Sequence, residues 1–165
     1  MKIKFTDNVS IEQSLVFEEI YPENLQYDLK DKTELKESGV QFAYMIDAEK
    51  NELVGEVYFI PLDDMKDWDA DEEQLDDGLE DWYGKNVMYC FSNTILEKFQ
   101  KQGFGKILKS WLLGYAKAKG FDMCMGHARD NGSIQLNNNF NAEVVRKFET
   151  WYGLKENVYL YKQQL

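Results

Sequence analysis

The chain has 165 residues, 44% hydrophobic and 15% aromatic, which fits one domain with its own core and excludes an intrinsically disordered chain. No apolar run reaches the length that crosses a bilayer, the first residues carry no targeting signal, and Cys90 and Cys124 stand outside any CxxC, against a disulfide framework or a zinc site. The net charge is −11 and uneven: from Asp63 to Asp81 eleven acidic residues face one lysine, Lys66.

Reduced thiols in a cytoplasmic compartment are the simplest expectation. A basic stripe of the kind that tracks nucleic-acid phosphates is not evident. Direct nucleic-acid and membrane partners are therefore not expected.

In chain order, Met1 to Thr6 alternates as a strand. Ser10 with Gln13 forms a capping-box pattern. Ile11, Leu15, Val16 and Ile20 give the following helix an apolar stripe, and Pro22 ends it. Tyr27 to Ser38 predicts a short second helix and its exit. Val40 to Ile46 and Glu52 to Ile60 are β-rich runs joined by a short polar connection, which predicts a hairpin. The acidic segment follows, about 63–84, and Val87 to Ile95 returns as a strand. Gly105 to Lys119 is the clearest helix, with Ile107, Leu108, Trp111, Leu112 and Tyr115 on one face and Lys106, Lys109 and Lys117 mostly elsewhere. Gly120 suits its C-terminal cap. Phe121 to Ala128 predicts a strand parallel to Val87–Ile95, since a helix joins the two. Ser133 to Phe140 reads as a short helix. Glu143 to Tyr152 and Val158 to Lys162 read as two strands joined around Gly153.

One stretch points to chemistry: Gln100-Lys101-Gln102-Gly103-Phe104-Gly105, between a strand and an amphipathic helix. Glycines there let the chain turn tightly and leave main-chain N–H groups uncovered. With the helix dipole those groups suit a pyrophosphate. Gly-Lys-Ser/Thr is missing after the second glycine, so this is no P-loop. The glycine spacing also fails the dinucleotide GxGxxG.

In this element order, Q-x-x-G-x-G resembles the coenzyme A signature of the GCN5-related N-acetyltransferases, with Gln100, Gly103 and Gly105 on its fixed positions. Ile95 to Gln100 resembles the family's V-x-P-x-Y-R, with Glu97 in place of proline. The resemblance implies an α/β fold: one domain over 1–165, a mixed central sheet flanked by helices, and an acidic insertion at about 63–84. It implies acetyl-CoA as acetyl donor and no metal. Ile95 would pair with the pantetheine arm, and the amides of Gln102, Gly103, Phe104, Gly105 and Lys106 would face phosphate. The family's second signature overlays Asp130 to Ala142, placing Ser133, Leu136, Asn137 and Asn141 on its alanine, leucine, tyrosine and glycine. The tyrosine usually protonates the departing thiolate; Asn137 can donate a hydrogen bond but cannot supply that proton.

The expected reaction moves an acetyl group to a primary amine, a cationic small molecule or a lysine-containing peptide. Such an amine must lose a proton, and His127, the only histidine, is a candidate acceptor; a structural histidine is the competing reading. Asp67, Trp68, Asp69, Asp71 and Trp82 are candidates for gathering a cation through carboxylates and aromatic faces, against a plain solvated loop. The calcium-loop echo of Asp67, Asp69 and Asp71 lacks its glycine and its final glutamate. Cys90 and Cys124 read as buried structural thiols. A homodimer stays open, as does a second class of function: a non-catalytic acidic interaction protein on the same fold, mimicking nucleic acid or binding a basic partner.

Overall fold

The computed structural model describes residues 1–66, 68 and 76–165. Its strands are β1 (Ile3–Thr6), β2 (Gln41–Asp47), β3 (Glu52–Pro61), β4 (Val87–Ile95), β5 (Met123–Arg129), β6 (Glu143–Phe148) and β7 (Val158–Gln164). They form one mixed sheet in the order β1-β2-β3-β4-β5-β7-β6. The α-helices among the described residues are α1 (Ile11–Ser14), α2 (Leu29–Glu37), α3 (Phe104–Ala118) and α4 (Gly132–Asn138). None is long and apolar enough to cross a membrane. Two compact units divide the chain: 1–59 with 91–112, and 60–90 with 113–165.

In the first unit, β1, β2 and β3 pair antiparallel. The Ser10–Gln13 capping box forms as its spacing predicts, each side chain accepting the other residue's N–H at 3.2 Å. Asp28 and Asp31 repeat the device at α2. The helix after Ser10 departs from expectation. It is α-helical for one turn and then tightens into a 3-10 segment, Leu15–Ile20. That rotates the inward face, so Ser14, Phe17 and Glu18 are buried while Val16 is exposed. Glu18 goes inside because Lys32 of α2, 0% exposed, bonds both it and Glu56 of β3, with Nζ–O distances of 2.9 and 3.0 Å. Gly55 lets the layers close: a Cβ there would stand 2.6 Å from Ile95 Cδ1 and 3.2 Å from Leu108 Cδ2.

In the second unit, β4 starts parallel to β5, and β5, β7 and β6 pair antiparallel. Gly120 ends α3 at φ 86°, as predicted. Asn141 takes φ 57° after α4, as its overlay on a glycine requires. α3 itself corrects the expected face. Leu108, Leu112 and Ala116 form its buried line, Ile107 is 44% exposed, and Lys109 is only 1% exposed. Four-residue spacing makes that line the centre of the stripe and puts Ile107 at its margin.

Candidate active site

The turn before α3 is built by side chains that hold main chain. A 3-10 segment, Glu97–Phe99, follows β4. Gln100 folds back so that its Nε2 donates to the Ile95 carbonyl at 3.0 Å. Gln102 likewise donates to the Lys98 carbonyl at 2.9 Å. Both glutamines therefore shape the loop. Lys101 takes φ 59° and Gly103 φ 89°, so the chain reverses through two left-handed residues before the helix begins.

Space for a Cβ at Gly103 is open, with no atom within 4 Å. Phe104 packs edge-on against Phe99, at 6.0 Å between ring centroids. Gly105 lies in the first helical turn, outside the left-handed residues. The Lys106 amide donates to the Gly103 carbonyl at 3.1 Å, which sets it apart from the others expected to face phosphate. The first N–H groups of a helix lack an acceptor one turn back. At α3 they follow directly on Gly103. From Lys98 to Phe121 the sequence holds six lysines and no acidic residue. This local reversal of sign in an acidic chain is a signal that the net charge conceals.

β4 leads into this turn. Its register with β5 runs from Val87–Met123 to Cys90–Gly126, while β4 itself continues to Ile95. On that continuation Ser92 and Thr94 bond each other at 2.8 Å, and both bond the Tyr21 hydroxyl. Burial pushes the Tyr21 phenol up to about 12, against the opposing pull of its two hydroxyl partners. Sequence reading had no pattern to bring Tyr21 to this strand.

A family model described as Acetyltransferase (GNAT) family matches residues 7–137. The chain belongs to that family. Solved structures share the fold. One is Arabidopsis thaliana NAA60 in complex with acetyl-CoA, with TM-score 0.71, 16% identity, and 99% of each chain covered. Another is the ribosomal-protein-S18-alanine N-acetyltransferase of Escherichia coli, with TM-score 0.71 and 9% identity over 99% of this chain and 94% of that one. An N-acetyltransferase from Staphylococcus aureus Mu50 gives TM-score 0.68 and 11% identity, again over 99% of each chain. No curated protein sequence matches the chain.

Within this GNAT chain, His127 is held on both sides. Its Nε2 lies 2.7 Å from the Asp77 carbonyl and its Nδ1 2.7 Å from the Tyr89 hydroxyl. A carbonyl only accepts, which assigns the proton to Nε2 and leaves Nδ1 to accept from Tyr89. Trp151 and Phe148 pack on the ring, with centroids at 4.2 and 5.6 Å. Burial lowers its pKa to about 4, outweighing the bond to Asp77. A neutral imidazole with both nitrogens engaged is a clamp on the returning acidic segment. This geometry favours the structural reading over the proton acceptor.

Asn137 is buried, and its Nδ2 donates to the Ser133 carbonyl one turn back, at 2.9 Å. Its own carbonyl accepts from Gln163 at 3.3 Å. Its side chain also hydrogen-bonds the Tyr161 hydroxyl of β7.

Asp67, Asp69 and Asp71 lie outside the described residues. Trp68 is half-buried. Trp82 has cations of its own chain over its ring, Lys85 at 4.3 Å and Lys162 at 5.3 Å. Further contacts hold the end of the insertion. Arg146 grips Asp76 through two bonds of 2.8 and 2.7 Å, and the Gly84 N–H donates to Asp63 at 2.6 Å. Cys90 and Cys124 are buried free thiols. Among the described residues no cluster of three or more His, Cys, Asp or Glu could hold a metal ion.

Proposed function

We propose that the chain transfers an acetyl group from acetyl-CoA to a cationic primary amine. The observation that carries this reading is the open left-handed turn at Gly103, at the start of α3, in a lysine-bearing stretch without carboxylates. Glycine with free space beside it allows a diphosphate to approach the main chain, and uncovered N–H groups with the helix dipole favour its charge. The residues present thus fit the donor, whose thioester supplies the activated acetyl group.

The chain's own part is placement. Gln100 fixes the Ile95 carbonyl, the turn amides and Lys101 hold phosphate, and main-chain groups of β4 beyond Cys90 orient the arm. The Tyr21–Ser92–Thr94 hydroxyls keep that stretch of β4 in one geometry. The acceptor's proton passes to water, because both nitrogens of His127 are engaged. The ten net negative charges from Asp63 to Asp81 raise the local concentration of cationic acceptors.

The test is thiol release from acetyl-CoA with a polyamine, a lysine-rich peptide and a neutral amine, at low and high salt. Turnover with the cationic acceptors that weakens as salt rises supports the reading. Absence of acetyl-CoA binding would overturn it. Equal use of all three amines would remove the cation preference and leave the transfer.

A further inference from the structure

Glu56 is the centre of a charge cluster sealed inside the first unit. Its cross-strand partner on β2 is Tyr44, 1% exposed. Lys32 reaches it from α2, and Glu18 comes from the 3-10 segment Leu15–Ile20. The Phe42 and Tyr58 rings stand 5.9 and 5.7 Å from the Lys32 ammonium. The titratable groups facing Glu56 are thus Lys32, Glu18 and the phenols of Tyr21, Tyr44 and Tyr58. Burial holds all three phenols above their ordinary 10, so near neutral pH they keep their protons.

The cluster has fewer hydrogens than acceptors. Lys32 Nζ lies 2.9 Å from Glu18 Oε1, 3.0 and 3.1 Å from the two Glu56 oxygens, and 3.1 Å from the Ser14 carbonyl. An ammonium has three hydrogens for these four oxygens, and Glu18 Oε1 is the one left without a hydrogen bond. Two carboxylates beside one ammonium also leave an excess of one negative charge out of reach of water, which is costly. A proton on Glu56 cancels that charge and leaves Lys32 three acceptors, Glu18 Oε1 among them. Glu18 is also where the cluster meets the donor stretch. Its Oε2 accepts from the Tyr27 N–H at 3.1 Å and its carbonyl from the Tyr21 N–H at 2.9 Å. Three residues make one turn of a 3-10 helix, so Glu18 and Tyr21 share a face of the segment. Tyr21 continues from there to β4, where its hydroxyl bonds Ser92 at 2.5 Å and also Thr94.

We propose that the Glu18–Lys32–Glu56 cluster takes up a proton from solvent when acetyl-CoA binds, with Tyr21 carrying the coupling; this rests on the acetyl-CoA reading above. The protonated cluster is neutral and has a hydrogen for each contact of Lys32. It therefore holds Glu18, and through it Tyr21, against the stretch of β4 that orients the arm. The deprotonated cluster keeps an uncompensated charge and loosens that seat. Burial raises Glu56 to about 7, against the opposing pull of Lys32, so the exchange falls in the neutral range. Donor affinity is highest below 7 and declines as pH rises through it. By reciprocity, bound donor makes the cluster hold its proton more tightly.

Calorimetry of acetyl-CoA binding in two buffers of different ionisation enthalpy counts the protons. At pH 7 wild type should take up a fraction of a proton more than Glu56→Gln, which accounts for the donor's own phosphates. From pH 6 to 8 wild-type affinity should fall about fivefold more than that variant's. Tyr21→Phe should lose this excess yet keep the wild-type slope of Tm against pH, because the cluster still titrates. Equal proton uptake by wild type and Glu56→Gln overturns the proposal, as does a Tyr21→Phe protein that keeps the excess. If Glu56→Gln fails to fold, the comparison of wild type with Tyr21→Phe decides alone. Absence of acetyl-CoA binding to folded wild type would overturn both the coupling and the function it rests on; binding without excess uptake would overturn only the coupling.

Discussion

Gly103 and Gly78 share a left-handed backbone, at φ 89° and 75°, and nothing else. Around Gly103 no atom lies within 4 Å of a Cβ; around Gly78 the Leu160, Arg146 and Phe148 side chains stand at 3.1, 3.3 and 3.4 Å. Both positions need glycine for the same conformational reason. At Gly103 the space is left open beside the first amides of a helix. At Gly78 it is filled, and the polar groups nearby are spent within the chain, on His127 and Arg146. We propose that the first glycine serves a ligand; the second serves packing. The acidic insertion draws the eye in the sequence, yet its described end behaves as structure.

This contrast breaks most directly at Gly103. Gly103→Glu places a negative side chain where phosphate sits, so acetyl-CoA affinity should fall by about 3 kcal/mol, roughly a hundredfold. Calorimetry checks the affinity, and stability should fall only by the left-handed backbone cost of about 1–2 kcal/mol. Gly78→Val should do the reverse. Crowding and a strained backbone should lower stability by about 2–4 kcal/mol in denaturant titrations, with acetyl-CoA affinity preserved. Equal effects of the two variants on binding would dissolve the distinction.

His127→Ala sharpens the second half of the comparison. Loss of the clamp should cost about 1–3 kcal/mol at pH 7, and any loss of rate should be the same at every pH where the protein is folded. In the native state this group titrates near 4, below its ordinary 6.5. The unfolded chain therefore takes up a proton below 6.5 that the native protein refuses. Stability should fall as pH drops from 6.5 to 4, and His127→Ala should lose that slope.

Glu56 gives the opposite slope. Burial raises its carboxyl to about 7, with Lys32 pulling the other way. Native protein then keeps a proton that the unfolded chain releases above about 4.5. Stability should fall as pH rises from 4.5 to 7. Glu56→Gln should flatten that fall and be no less stable than wild type at pH 8, as followed by Tm.

Local devices were legible in the sequence because their parts are neighbours. The Ser10 capping box, the hairpin of β2 and β3, the Gly120 cap, Asn141 and the Gly103 turn each depend on residues a few positions apart. Tertiary partners decided the rest. Glu18, Lys32 and Glu56 come from three elements and look like solvent-facing charges until the fold joins them. For His127 the sequence left a base and a structural role open; its partner Asp77 lies fifty residues away. Gln100 matched a signature position, and the bond of its amide to the Ile95 carbonyl is visible only in the fold. Tyr21 carries no motif at all, only a position opposite β4.

Amide hydrogen exchange of the protein with and without CoA tests the central claim most directly. If the α3 turn is the donor site, CoA should slow exchange at Gln102, Gly103, Phe104 and Gly105 and along β4 beyond Cys90, and leave the 76–84 segment unchanged. CoA binding that protects 76–84 and spares the turn would contradict the account.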